Sequence, residues 1–315
     1  MLKAGEIRSS RGMLRQGIRF GGTVLLLGWL FVKVPWERVW PVWQQLSPGA
    51  WLAAVLLTVL AMVVSAYKWQ LILTEPGMET PKLGFLLRIY FIGLFFNNFL
   101  PSGMGGDVVR IALTARKTGT AVAAASVVTE RIWASLGLIV LCLIGFFSFQ
   151  QAMGRVAVVI PVLAVVVLSL TVLLLFPGWG RFLLRYLTRH PKVAGGLTSF
   201  LDVLERYRSR PGILTQVFVW SVVFQGIIVV MNYLLFLGMG VDISWSLCLS
   251  LIPLISALAM VPISINGLGL REWSYVVLFT PWGVEAPEAL AISLTFFLVV
   301  AFVSLLGGFF YLRDH

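Results

Sequence analysis

The stretch Asn97-Asn98-Phe99-Leu100-Pro101-Ser102-Gly103-Met104-Gly105-Gly106-Asp107-Val108-Val109-Arg110 cuts an apolar region, residues 83 to 117, near its middle. Pro262-Ile263-Ser264-Ile265-Asn266-Gly267-Leu268-Gly269-Leu270-Arg271-Glu272 does the same to residues 244 to 280. Proline removes a backbone donor, and glycine weakens a helix by about 1 kcal/mol. Irregular backbone of this kind persists at membrane depth only where protein or a water-filled cavity satisfies its polar groups. Both regions therefore read as helix-break-helix hairpins, either re-entrant or bent across the bilayer.

The rest of the chain reads as membrane protein too. Of its 315 residues 59% are hydrophobic and only 12% charged, with a mean hydropathy of +0.94. Soluble domains carry about 25% charged residues. This composition excludes a soluble enzyme, a disordered chain and a disulfide scaffold. Cys142 and Cys248 both lie in apolar runs, where a thiol behaves as a small buried hydrophobe. Six stretches reach the roughly 20 apolar residues of a full span: 17 to 34, 49 to 73, 121 to 150, 155 to 176, 211 to 239 and 287 to 312. The first follows a basic tail but precedes no small-residue cleavage site, so it is expected to be a retained anchor. The expected fold is an all-α integral membrane protein, one polytopic domain over residues 1–315.

Lysine and arginine accumulate beside spans on the cytoplasmic side. The N-terminal tail (Lys3, Arg8, Arg11, Arg15, Arg19) and the 178 to 210 connector (Arg181, Arg185, Arg189, Lys192, Arg206, Arg208, Arg210) are the strongest basic clusters of a chain with net charge +11. With six spans and two re-entrant hairpins, both clusters fall in the cytoplasm, as do residues 74 to 82, Arg116-Lys117 and both termini. Residues 49–150 and 211–312 then form two span-hairpin-span units of opposite topology. Pro101, Gly106 and Arg110 match Pro262, Gly267 and Arg271 in spacing. An inverted repeat is the architecture from which many transporters build a midplane site that opens to either side.

Ionisable residues inside apolar segments cost about 2.5–3.5 kcal/mol each at mid-helix and are functional candidates by default. Here they are Asp107, Arg110, Glu130, Arg131, Arg271 and Glu272, with Arg88 in the first limb of the first hairpin. Asp107 and Arg110, three apart, share a helix face and can pair locally. Glu130 and Arg131 point about 100° apart and need partners on other helices. Salt bridges bracing bent helices are the blander role for each. Helices restarting at about Gly106 and Gly267 would present N–H groups and a positive dipole end to an anion, with Arg110 and Arg271 holding phosphate oxygens. Asn97, Asn98 and Asn266 either add neutral hydrogen bonds or cap the broken helices. The translocation-site candidates are thus these residues together with Pro101, Gly103, Gly105, Pro262 and Gly269.

Within the connector, Arg181, Arg185 and Arg189 recur every fourth residue, and Leu197, Phe200, Leu201 and Leu204 form a second stripe. Both read as amphipathic helices in the cytoplasmic interface, with a solvated connector as the alternative. Tryptophans 36, 40, 43, 51, 179 and 282 anchor span ends. The only histidines are His190 and His315, so a Ser-His-Asp triad or a His-Glu-x-x-His zinc site is excluded. No Walker A sequence is present. Neither a catalytic set nor a metal or cofactor site is expected, and nucleic acid is not an expected partner.

At the first break, at Thr129-Glu130-Arg131 and at Gly267-Leu268-Gly269-Leu270-Arg271-Glu272, the sequence resembles the transmembrane flippase domain of lysylphosphatidylglycerol synthases and its stand-alone relatives. The resemblance covers nearly the whole chain. It implies movement of lipids between leaflets: aminoacylated phosphatidylglycerol in the fused synthases, polyprenyl-phosphate-linked sugars or hopanoids in separate relatives. The family's acidic and arginine motif residues fall on Asp107, Arg110, Glu130, Arg131, Arg271 and Glu272. The fused synthases continue into a soluble aminoacyl-transferase domain, whereas this sequence ends at Tyr311-Leu312-Arg313-Asp314-His315, so lipid aminoacylation is not expected of it.

The expected function is that of a flippase or scramblase-like facilitator in a prokaryotic cytoplasmic (inner) membrane. Its partner would be a phospholipid or polyprenyl-phosphate lipid. An ion-coupled carrier of a small soluble anion and a membrane subunit serving a separate lipid-modifying enzyme are the alternatives.

Overall fold

A computed structural model describes residues 17, 20–74, 79–99, 105–148, 165, 169, 191–261 and 263–313. Among these, every regular element is a helix. They run α1 (Phe20–Lys33), α2 (Val39–Gln44), α3 (Pro48–Leu73), α4 (Leu83–Phe99), α5 (Gly105–Thr118), α6 (Thr120–Ser148), α7 (Pro191–Arg208), α8 (Pro211–Gly238), α9 (Trp245–Ala259), α10 (Leu270–Phe279) and α11 (Ala286–Arg313).

Four of them, α3, α6, α8 and α11, are long and apolar enough to cross a bilayer. They match four of the six expected spans. The first expected span is represented by the shorter α1, about 21 Å long at 1.5 Å per residue. The 155 to 176 span lies outside the described residues, apart from isolated positions.

Helix starts follow local chemistry. Ser47 caps α3 by accepting from the Ala50 N–H at 3.2 Å, with Pro48 at the first helical position. Ser244 accepts from the Leu247 N–H to cap α9, and Pro211 opens α8. Gly119, at φ +84°, ends α5 and lets α6 begin one residue later.

Backbone contacts place the connections at two ends of the bundle. At one end Arg210 donates to the Thr74 carbonyl, Gln70 donates to the Pro81 carbonyl, and α4 begins nearby. At the other, the Ser47 N–H donates to the Gly238 carbonyl, and the indole of Trp43 donates to the Ala291 carbonyl and to Thr295.

Two apolar cores follow this division. The first packs Ala66, Trp69, Ile72, Leu86, Ile89, Ala125 and Val217 beneath Leu201, Leu204 and Tyr207 of α7. The second joins Leu138 and Cys142 of α6 to Met231, Phe236, Cys248, Leu251, Tyr275, Phe279 and Leu290. The two free thiols are buried, as expected from their apolar settings. The stripe of α7 departs from the expectation of a helix lying in lipid. Leu201 and Leu204 are buried, with α7 packed against α6 and α8, because the apolar ends of those spans offer them more surface. The Arg181–Arg189 segment lies outside the described residues. Leu52, Leu56 and Leu60 of α3, Val219 and Val223 of α8, and Leu298, Phe302 and Leu305 of α11 are exposed. In a span these side chains face lipid.

Helix packing is reciprocal. α3 packs along α8, while α4 packs on α11 and α9 on α6; within each half the two hairpin limbs touch each other, and the second limb packs on the following long helix.

Candidate functional site

Five charged side chains from three helices converge around α5. Arg110 donates to Asp107 Oδ1 at 3.2 Å, the local pair expected from their spacing, and to Glu130 Oε2 at 2.6 Å. Arg131 grips Asp107 with two donors, each at 2.9 Å. Lys68 of α3 approaches Glu130 Oε1 at 3.7 Å and donates to Ser221 Oγ of α8 at 3.4 Å. Tyr90 of α4 donates its hydroxyl to Glu130. The Arg110 guanidinium also lies against aromatic faces, 3.8 Å from the Tyr90 ring centre and 4.3 Å from that of Trp69, whose indole is fixed by Ser126.

Three cations and two carboxylates leave this network with a formal charge of +1. Lys68, Arg110 and Glu130 are buried, whereas the Arg131 side chain is 47% exposed. Arg131 is the end of the network that an outside group can reach. Arg110 is enclosed on every side. Its two terminal nitrogens serve Asp107 and Glu130 and its faces the Tyr90 and Trp69 rings, while its Nε–H has no hydrogen-bond partner among the described residues.

Lys68 and Tyr90 are absent from the sequence-derived candidates. Lys68 had a signal, a lone cation in an otherwise apolar span. Tyr90 had none, because an aromatic residue in such a helix is ordinarily packing.

The two described edges of the first break meet. The Gly106 N–H donates to Asn97 Oδ1 at 2.8 Å. A Cβ on Gly106 would collide with the Gly93 carbonyl oxygen and lie 2.7 Å from the Asn97 amide carbon. Glycine is needed there for close approach, and Asn97 serves as a cap. Gly105 is buried at the start of α5.

The second break turns through left-handed backbone at Asn266 (φ 51°), Gly267 (φ 75°) and Gly269 (φ 79°), and α10 restarts at Leu270, later than expected. Glu272 reaches back to accept from the Gly269 N–H at 2.6 Å and also accepts from Ser293 at 3.5 Å. One N–H at each restart, that of Gly106 and that of Gly269, is thus occupied internally, because an uncapped N–H in a buried site carries a large desolvation cost. Arg271 is half-buried, 5.3 Å from the Phe296 ring centre.

The hairpin tips meet. Asn266 donates to Asn98 at 3.4 Å, and Thr23 of α1 accepts from the Ile265 N–H at 2.9 Å. Beside this contact, Asn98 Nδ2 and the buried Ser264 hydroxyl have no hydrogen-bond partner among the described residues. Arg88 stands apart from the charge network, on the outer side of the first hairpin with Arg116, Lys117 and Tyr311. Pro101, Gly103 and Pro262 lie outside the described residues.

Long apolar helices, interrupted helices and a buried charge network that surfaces beside one break define a polytopic α-helical membrane protein. The chain belongs to the family described as the lysylphosphatidylglycerol synthase TM region, whose model matches residues 17–308. That model describes a transmembrane region. The chain is also 24% identical over 292 residues to a UPF0104 membrane protein of Pyrococcus horikoshii, covering 84% of this chain and 86% of that one. No solved structure matches it.

Proposed function

We propose that this protein moves a phosphate-bearing lipid between the leaflets of a prokaryotic cytoplasmic membrane, with its headgroup passing the place where the two hairpin tips meet. The observation that carries this reading is the exposure of Arg131 at the end of a buried, net-positive network anchored on the first break. Arg271 stands just beyond the second break. Both arginines carry planar donors that match phosphate oxygens. Aminoacylated phosphatidylglycerol and a polyprenyl-phosphate-linked sugar are the candidate cargoes; a hopanoid, which carries no phosphate, does not fit this recognition, and the acyl or prenyl chains would remain in lipid.

The architecture we propose for this passage is an inverted repeat, α3–α6 against α8–α11, with both hairpins re-entrant. The reciprocal packing of α4 on α11 and α9 on α6 supports it. So does the return of each hairpin towards the end from which it entered. The basic clusters support a cytoplasmic side for the α4 entry, the connector and both termini.

The test is leaflet exchange in proteoliposomes with labelled phosphatidylglycerol, aminoacyl-phosphatidylglycerol, polyprenyl phosphate and polyprenyl-phosphate sugar. One headgroup class should exchange, and Arg131→Gln with Arg271→Gln should abolish exchange while the thermal unfolding temperature stays near wild type. Wild-type exchange in that double variant defeats the assignment of the arginines. Uptake of free phosphate without any lipid exchange transfers the reading to a soluble-anion carrier.

A further inference from the structure

A second anion-binding feature lies away from the charge network. Where α4, α5 and α11 meet at the end of the bundle, a cavity of about 170 Å³ opens between Arg88, Arg116, Lys117 and Tyr311. Among the described residues, none that lines it is acidic. Its cations sit near the helix ends: Lys117 is the penultimate residue of α5, and Arg88 is about 8 Å along α4 from Leu83. Lys117 lies over the Phe85 ring with its ammonium 4.0 Å from the ring centre, at the rim.

The deeper wall is apolar. Ile89, Ile92 and Leu113 continue from the cavity towards the middle of the helices, with Ile92 about 13 Å along α4. The order from end to middle is thus cations, then hydrocarbon surface, which is the order of an anionic phospholipid in one leaflet. An engineered cavity of about 150 Å³ accepts a group the size of benzene. The space here suits a phosphate with part of its glycerol, and a chain must leave along the apolar wall.

We propose that this cavity is a docking site for one anionic glycerophospholipid of the leaflet at that end, its phosphate between Arg88, Arg116 and Lys117 and one acyl chain against Ile89, Ile92 and Leu113. The occupant is fixed by charge complementarity at the rim together with the apolar wall beneath it; a soluble phosphate would use only the first. The site is separate from Arg131 and Arg271, so it stands whether or not the protein transports lipid.

The test is native mass spectrometry of the full chain released from nanodiscs containing equal phosphatidylglycerol and phosphatidylcholine. The wild type should retain phosphatidylglycerol preferentially, and the preference should fall as salt rises, because the cations are at the rim. In the variant R88Q/R116Q/K117Q the preference should drop by about 100-fold, each cation near an anionic surface contributing about fivefold. All three side chains line the rim, so unfolding in detergent should be unchanged. Should that variant not fold, salt titration of the wild type alone decides. A preference unaffected by salt, an equal preference in the triple variant, or displacement by millimolar glycerol 3-phosphate as efficient as by lipid overturns the proposal.

Discussion

Glu130 is the residue on which the most partners depend: Arg110, Lys68 and Tyr90 all satisfy their polar groups on one carboxylate. A buried ion pair is a weak stabiliser compared with apolar packing, but removing one partner leaves a charge stranded and costs about 3–5 kcal/mol. Glu130→Ala should therefore lower stability by that order, read as unfolding in detergent, and an unchanged transition would show that the network is not closed as described. Lys68→Met should cost less, since Glu130 keeps Arg110 and Tyr90. The contrast with Arg131 is instructive. Its half-exposed side chain can be replaced by glutamine at small cost to stability, so any loss of exchange in that variant is a loss of recognition.

The two hairpins solve the same problem, a helix restarting inside the membrane, with different chemistry. In the first, a side-chain amide caps the restart and two helices close to backbone contact at Gly106. In the second, Gly269 turns left-handed and Glu272 closes the turn with its carboxylate. Gly269→Ala should cost about 1–2 kcal/mol from backbone conformation alone, whereas Gly106→Leu should fail more severely by forcing α4 and α5 apart. Glu272→Gln retains an acceptor for the Gly269 N–H and should stay near wild type; Glu272→Ala should lose about 1–2 kcal/mol, as cap removals do. A thermal unfolding series over these four variants checks the order, and an equal effect of Gln and Ala at 272 would remove the capping role.

At the scale of the molecule, the two hairpins touch at Asn98 and Asn266, and the transport we propose would require that contact to separate or slide. Asn98→Cys with Asn266→Cys, joined by a short bifunctional maleimide, should stop lipid exchange, while either single cysteine treated likewise should not. Exchange persisting in the joined protein would place the route elsewhere. Ends of the bundle can be assigned independently. Glu79→Cys and Asp242→Cys should react with an impermeant maleimide from opposite faces of an oriented vesicle, Glu79 from the cytoplasmic one. Reaction of both from one face would refute the opposed topology.

Several features were legible in the linear chain because they follow from the cost of polar groups in hydrocarbon. Four long apolar helices, the two interruptions and the Asp107–Arg110 pair all arise from composition, local conformation or a spacing of three along one helix. Lys68 was equally visible as a lone cation in an apolar span, though not among the candidates drawn from it. Other properties depend on residues far apart in sequence, which only packing brings together. Arg110 and Arg131 look alike in the chain, yet one is sealed between Trp69 and Tyr90 and the other is open. Arg88 reads as part of the central charge set until α11 draws it to the outer cavity. The restarting helices look like open anion sites until Asn97 and Glu272 fold onto them. Sequence by itself determined where charge and irregular backbone enter the membrane; tertiary structure decided which of those groups are already satisfied, because satisfaction is a matter of neighbours within about 3 Å that no local pattern encodes.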